Sequence, residues 1–460
     1  MHFTVILRVT GILLSLFSLT MLLPMAVGWF YGDSTIRAFG AAFGITALVG
    51  LALWVLVRSN SDLRSRDGFL ITVLFYLALG TFGALPLYLH GGGDLSLTDA
   101  IFESLSGLTT TGATVMTGLD DLPRSILFYR QFLQWLGGMG IIVLAVAILP
   151  MLGIGGMQLY RAESPGPVKD AKLTPRITET AKALWYIYLG ITVLCAISYN
   201  AAGMELFDAI CHSFSTVAIG GFSTHDSSLG YFDNPYIEMV AVVFMIIAAI
   251  NFGLHFAALS RRKPGYYFRD WEVRTLLATL ILVASLVCLI LYRNPATTDH
   301  PFRDGIFQAV SIATTTGFTT ADFSLWPSVA PILLLFAAFA GGCAGSTAGG
   351  LKMVRVLLLY LQGLREVRRL IHPSGVFPVK LGHATVSDRV MNAVWGFFAA
   401  YVLIFLIMLC AIMLFSDVDF ISAFSAVGAC LNNLGPGLGE VASWLTPLVY
   451  KYSAHPAIPA

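Results

Sequence analysis

Two stretches of this 460-residue chain carry residue types suited to holding a cation stripped of water. Residues 312–323 read IATTTGFTTADF, and residues 107–116 read GLTTTGATVM. Threonine hydroxyls and the carbonyls of a glycine-containing strand are neutral oxygen ligands. Several such strands around one axis can replace a cation's hydration shell. Oxygens without carboxylate charge suit a monovalent, weakly hydrated ion better than Ca2+, whose sites are expected to include carboxylates. Either stretch alone is weak evidence, because threonine is common in ordinary membrane helices.

Their setting is a repeat. DAIFESLSGLTTTGAT, DAICHSFSTVAIGGFST and DGIFQAVSIATTTGFTT begin at Asp99, Asp208 and Asp304, and each reaches a glycine thirteen residues on, at Gly112, Gly221 and Gly317. A fourth copy, SAFSAVGACLNNLGPG, runs from Ser422 to Gly435 at the same spacing. Asp and Ser are N-capping residues, since their side-chain oxygens satisfy free backbone N–H groups. Asp99, Asp208, Asp304 and Ser422 are therefore expected to cap short helices that dip into the membrane, each followed by a glycine strand that returns. Such helices point their negative C-terminal ends inward. The returning backbone must be buried in protein or line water.

The elements around this repeat are those of an integral membrane protein. The chain is 57% apolar and 12% charged, with mean hydropathy +0.78, against about a quarter charged in soluble domains. Spans of roughly 20 apolar residues are expected near 5–30, 36–57, 68–90, 126–152, 181–201, 236–259, 272–292, 329–361 and 391–415. Loops 58–66, 161–182 and 261–274 and segment 352–389 hold 20 of the 27 Lys and Arg residues. The intervening loops are rich in aspartate, so the N-terminus and the basic loops are expected to be cytoplasmic. Cys195, Cys211, Cys288, Cys343, Cys410 and Cys430 lie in apolar segments and read as small buried hydrophobes.

The motifs TTTGATVMTGLDDLP, QWLGGMGIIVLAVAILP, STVAIGGFSTHD, TTTGFTTADF, AGGCAGSTAGGLKMVR and LNNLGPGLG resemble the Trk/Ktr/HKT superfamily of potassium transporters, most of all the membrane subunit of bacterial Trk systems. The resemblance implies an all-α membrane protein with four membrane–pore–membrane repeats around a cation pore, plus two extra N-terminal helices. The expected division is a two-helix extension over 1–60 and repeats over 61–160, 161–262, 263–372 and 373–460. It implies a K+ filter at Thr110, Thr111 and Gly112; at Ile219, Gly220 and Gly221; at Thr315, Thr316 and Gly317; and at Asn433, Leu434 and Gly435. It also implies K+ as the transported ion, a homodimer, a cytoplasmic nucleotide-binding regulatory subunit, and the bacterial inner membrane with its lipid as surroundings. No nucleic-acid partner is implied.

A glycine-rich stretch, Gly341, Gly342, Gly345, Ser346, Thr347, Gly349 and Gly350, resembles the family's intramembrane gating loop. Each glycine disfavours helix by up to about 1 kcal/mol relative to alanine. Gly341/Gly345 and Gly345/Gly349 also have the small-xxx-small spacing of packed helices. After Gly435 only 25 residues remain, and none of their runs crosses a bilayer. The family's final inner helix lacks a counterpart, and a truncated or frame-shifted C-terminus is the expected cause.

Elsewhere, Arg130 is expected to snorkel from its span, Glu103 to hydrogen-bond locally, and His212, His225 and His255 to be structural or loop residues. No nucleophile–base or metal-ligand set for an enzyme can be assembled. A secondary transporter of a small solute and a Na+-permeable cation transporter are the alternatives. The first would call for inverted repeats and intramembrane charges, whereas these repeats run parallel and the charges sit at span ends.

Overall fold

The structure is a computed structural model that describes residues 3–57, 65–91, 95–138, 140, 177–327, 329–381 and 384–442. The inner part of the 126–152 span, most of the 58–66 and 161–182 loops, and the segment expected to lack a final helix lie outside these residues. Among the described residues, six helical stretches are long and apolar enough to cross a bilayer: Thr4–Tyr31, Ile36–Leu56, Leu70–His90, Lys182–Ala201, Trp271–Arg293 and Asp388–Phe415. The described residues are all-helical in their regular structure apart from one two-residue antiparallel pairing, Lys380–Leu381 with Ala384–Thr385.

The helices are α1 Phe3–Thr20, α2 Leu22–Tyr31, α3 Ile36–Leu56, α4 Ser65–Gly83, α5 Leu85–His90, α6 Leu97–Leu108 and α7 Arg124–Gly138. They continue as α8 Ile177–Ala201, α9 Leu206–Ala218, α10 Pro235–Ala248, α11 Phe252–Ser260, α12 Gly265–Arg269 and α13 Trp271–Arg293. The last five among the described residues are α14 Pro301–Ala313, α15 Val329–Ala340, α16 Met353–Ile371, α17 Asp388–Phe415 and α18 Phe420–Leu431. Helix α1 lies against α3, where a Cβ on Gly11 would come within 2.8 Å of the Gly50 carbonyl. Small residues at that crossing let the two backbones approach without a side chain between them. Val9, Leu13, Phe17, Phe39, Phe75 and Leu79 then join this pair to α4, α6 and α7 in one buried cluster.

Two of the expected spans are not continuous. The 236–259 run is α10 and α11 bent by 90° at a short break, and the 329–361 run is α15 and α16 separated by residues 341–352. The two interruptions satisfy one another. Cys343 N–H donates to the Ala249 carbonyl and Phe252 N–H to the Gly345 carbonyl, both at 2.9 Å. Asn251 closes the join, donating Nδ2–H to the Ala344 carbonyl at 2.6 Å while its Oδ1 caps α11 at Gly253 N–H. Backbone freed by each break thus finds partners in the other, as an apolar surround demands.

The cap expectation needs correcting. Asp99, Asp208 and Ser422 stand in the first turn of α6, α9 and α18, and Asp304 at the fourth residue of α14. The capping residues are Ser96, whose hydroxyl accepts from Asp99 N–H, and Asp419, which accepts from Ile421 and Ser422 N–H. Glu205 and His300 hold the corresponding places without a side-chain cap bond. A carboxylate in the first turn still complements the positive helix N-terminus, so the periodic acid is real and only its station differs.

Candidate functional site

Helices α6, α9, α14 and α18 end at equivalent points and each hands on to a non-helical, glycine-containing segment, its strand of the repeat, by the same bond. The N–H groups of Thr111, Gly220, Thr316 and Leu434 donate to the carbonyls of Ser106, Ser215, Ser311 and Ala429, all four at 2.8 Å. Backbone dihedrals repeat as faithfully. φ is positive at Thr110, Ile219, Thr315 and Asn433, and again two residues on at Gly112, Gly221, Gly317 and Gly435. A β-branched residue in the left-handed region is a genuine outlier, costing roughly 1–2 kcal/mol. Three of the four non-glycine positions, Thr110, Ile219 and Thr315, are β-branched and accept that strain.

The second set must be glycine for a further reason. A Cβ on Gly112 would overlap the Gly220 carbonyl oxygen, one on Gly221 the Thr316 oxygen, and one on Gly317 the Leu434 oxygen. Gly435 returns to the start, where a Cβ would lie 2.9 Å from the Thr111 carbonyl oxygen. Each glycine therefore abuts the strand of the next repeat, and the sequence of contacts closes: one, two, three, four, one. The three candidate residues of every repeat come together in this ring.

Side chains reinforce the strands unequally. Thr109 and Thr111 hydroxyls pair at 2.8 Å, as do those of Thr314 and Thr316, and Thr111 also donates to Asn433 Oδ1 at 3.1 Å. Ser106 and Ser311 hydroxyls donate to the Ala113 and Phe318 carbonyls at 2.6 Å.

The glycine-rich loop after α15 lies directly against the helix-ended side of this ring. Thr347 Oγ1 donates to the Val217 carbonyl at 3.0 Å, Gly349 N–H to Thr315 Oγ1 at 2.7 Å, and Gly350 N–H to the Asn432 carbonyl at 3.0 Å. Repeats two, three and four are each touched. Gly341, Gly345 and Gly350 have positive φ, and so does Lys352, whose ammonium donates to the Ser346 carbonyl at 3.3 Å and to the Ala348 carbonyl. Cβ atoms on Gly342 and Gly349 would collide with Ala348 Cβ and the Asn432 carbonyl. Ala344 N–H is held by buried Glu272 at 2.5 Å.

Arg130 does not snorkel. It is 1% exposed and pairs with Glu103, itself 0% exposed, at 2.7 Å. The guanidinium also reaches Thr114 Oγ1 at 3.0 Å and the Ser223 carbonyl at 3.1 Å, and lies over the Phe222 ring. Glu103 accepts from Val115 N–H at 3.0 Å, the local bonding expected of it. Arg130 stands near the start of the expected 126–152 span, so the pair is buried in protein yet still lies at a span end. His225 joins a loop to the start of α9, one ring nitrogen on Asp120 and the other 3.5 Å from Asp208, and its ring stacks on Tyr231 at 3.5 Å. Of the six cysteines, Cys410 and Cys430 are exposed and the other four are buried. Sequence reasoning passed over Gln131 and Gln134, two fully buried amides in α7. A pair of glutamines three apart inside an apolar helix was the available signal.

Fold and site together define a multi-pass helical membrane protein built from four helix–strand units around one axis. The chain matches the TrkH family model, described as a cation transport protein, over residues 35–453, and it belongs to that family. It is 57% identical over 447 residues to the Trk system potassium uptake protein TrkH of Halomonas elongata, covering 96% of this chain and 92% of the relative. The TrkH of Escherichia coli K12 is 53% identical over 452 residues, covering 97% and 93%. TrkG of the same organism, also a Trk system potassium uptake protein, is 42% identical over 444 residues, covering 96% and 91%. The crystal structure of the potassium transporter TrkH from Vibrio parahaemolyticus superposes with TM-score 0.87 at 52% identity, covering 97% of this chain and 94% of that one. These relatives are transport proteins, not enzymes.

Proposed function

We propose that the chain takes up potassium across a membrane, K+ passing through the four-strand ring as its selectivity filter. The relatives' names support the ion, and the closed ring of glycine contacts carries the reading of the site. Neutral backbone and hydroxyl oxygens on four strands can substitute for the water around K+. The inward C-terminal ends of four short helices favour a cation there. Membrane potential contributes about 2.3 kcal/mol per charge per 100 mV to entry. The repeat boundaries near 61, 161, 263 and 373 follow from the same reading.

The loop over 341–350 acts as the gate. Its position against the inner helix ends of three repeats supports this role, because backbone there blocks the route that an ion leaving the ring would take. In the full reading the protein sits in a bacterial inner membrane with a cytoplasmic N-terminus, works as a homodimer, and answers to a cytoplasmic nucleotide-binding subunit docked on the basic face. Uptake of K+ and Na+ into vesicles holding this chain, beside a Gly317→Asp variant, tests the proposal. K+-selective flux that the variant loses while still inserting supports it; flux unaffected by Gly317→Asp overturns the filter assignment.

A further inference from the structure

One face of α7 is fastened to the repeat-two strand in a way that no other strand shares among the described residues. Arg130, Gln131 and Gln134 lie within one helical turn and are each 1% exposed or less. Gln134 brackets a glycine of the ring: its Nε2–H donates to the Gly220 carbonyl at 2.6 Å, and its Oε1 accepts from Phe222 N–H at 3.1 Å. Gln131 Nε2–H donates to the Phe222 carbonyl at 3.3 Å, and Arg130 to the Ser223 carbonyl at 3.1 Å. A Cβ at Gly220 would run into the Gln134 amide, so glycine there is what admits the strut.

Repeat two is also a strand that lacks the self-bonding of repeats one and three. Repeats one and three carry paired threonine hydroxyls and serines bonded to their own strands. Repeat two has Ile219, Gly220 and Gly221 in the threonine and glycine places, and the hydroxyl of Ser215, its serine counterpart, is buried without a hydrogen bond. The carbonyl that Ser215 would serve by analogy, that of Phe222, is taken by Gln131 instead. A planar amide gripping residues 220 and 222 fixes the peptide planes on either side of Gly221, which abuts the Thr316 carbonyl.

We propose that Gln134 is a positioning residue for ion selectivity, holding the repeat-two strand at the spacing that the ring requires. The inference rests on the reading of the four strands as a filter. On the cavity-fit account of selectivity, the K+/Na+ ratio depends on the size at which the oxygen cage is held. A strand freed from its strut closes more readily around the smaller Na+ ion.

The test uses the full chain in vesicles, with K+ and Na+ uptake measured separately for the wild type, Gln134→Leu, Gln131→Met and Gly317→Asp. Gln134→Leu is expected to lower the K+/Na+ uptake ratio about tenfold, the factor that ~1.4 kcal/mol gives, with a raised KM for K+ and increased Na+ entry. Gln131→Met, which loses one weaker bond, shifts the ratio in the same direction by less, and serves if Gln134→Leu does not insert. An unchanged ratio in the variants, or a proportional loss of both ions, overturns the inference while leaving the filter intact. Unselective wild-type flux, or flux that survives Gly317→Asp, removes the filter reading and this inference with it.

Discussion

Thr315 accepts the Gly349 N–H on its hydroxyl at 2.7 Å, so one side chain of the glycine-strand ring is also a docking point for the glycine-rich loop. Ring and loop are therefore not independent. Thr315 holds a strained backbone conformation at φ 65° while its hydroxyl restrains residue 349.

Replacing that hydroxyl tests the coupling. Thr315→Val removes a bond worth about 1 kcal/mol and should raise K+ uptake roughly fivefold if the bond favours the closed loop. Thr315→Ser should behave like the wild type. Equal flux from Thr315→Val and Thr315→Ser at matched protein levels would exclude the coupling.

The buried Glu103–Arg130 pair predicts strongly asymmetric mutational costs. Removing one partner leaves an uncompensated buried charge, at about 3–5 kcal/mol. Arg130→Met and Glu103→Leu should each reduce the yield of folded protein and lower Tm sharply. The double variant should recover part of the loss; additive losses would refute a paired origin.

The four ring glycines should not tolerate alanine equally. At Gly112, Gly221 and Gly317 a Cβ overlaps the next strand outright, whereas at Gly435 its nearest neighbours are 2.9–3.0 Å away. Gly435→Ala should keep the most K+-selective uptake of the four. If it proves as damaging as Gly221→Ala, the shared positive φ, not the inter-strand contact, sets the requirement.

His225 predicts a pH dependence on the side of the ring away from the glycine-rich loop. Burial pulls its pKa down, but hydrogen bonds to Asp208 and then Asp120 outweigh burial and raise it above the usual 6.5. The protonated imidazole joins both carboxylates. Its stabilisation is fully present below pH 6.5 and is lost as pH climbs through the raised value. The Tm difference between wild type and His225→Gln should be larger at pH 6 than at pH 9; a difference constant with pH would contradict the ion-paired assignment.

Much of this architecture could be read from the sequence because it is local. Each short helix and its glycine occupy one contiguous stretch, and the thirteen-residue interval survives even where Ser422 replaces aspartate. The capping residues lie three or four positions before the expected ones; in repeats one and four the helix start, Ser96-x-x-Asp99 or Asp419-x-x-Ser422, offers two plausible caps, and the earlier one caps. The bend at Asn251 shows in the sequence only as an asparagine and Gly253 inside an apolar run, because its broken backbone is satisfied by residues more than ninety positions away. Arg130 was misjudged for the same reason. Its partner Glu103 belongs to another helix, and nothing in the periodicity of α7 reveals that the two meet.

Because all four strands of the ring belong to one polypeptide, each quadrant can be altered by itself. A homotetrameric ring has to accept every change four times over, whereas here threonine pairs stiffen two quadrants, an amide strut holds the third, and Asn433 of the fourth accepts from Thr111. The symmetry is therefore a property of the backbone alone. Each quadrant of the ring can thus be tuned alone, and the four strands are held in three different ways.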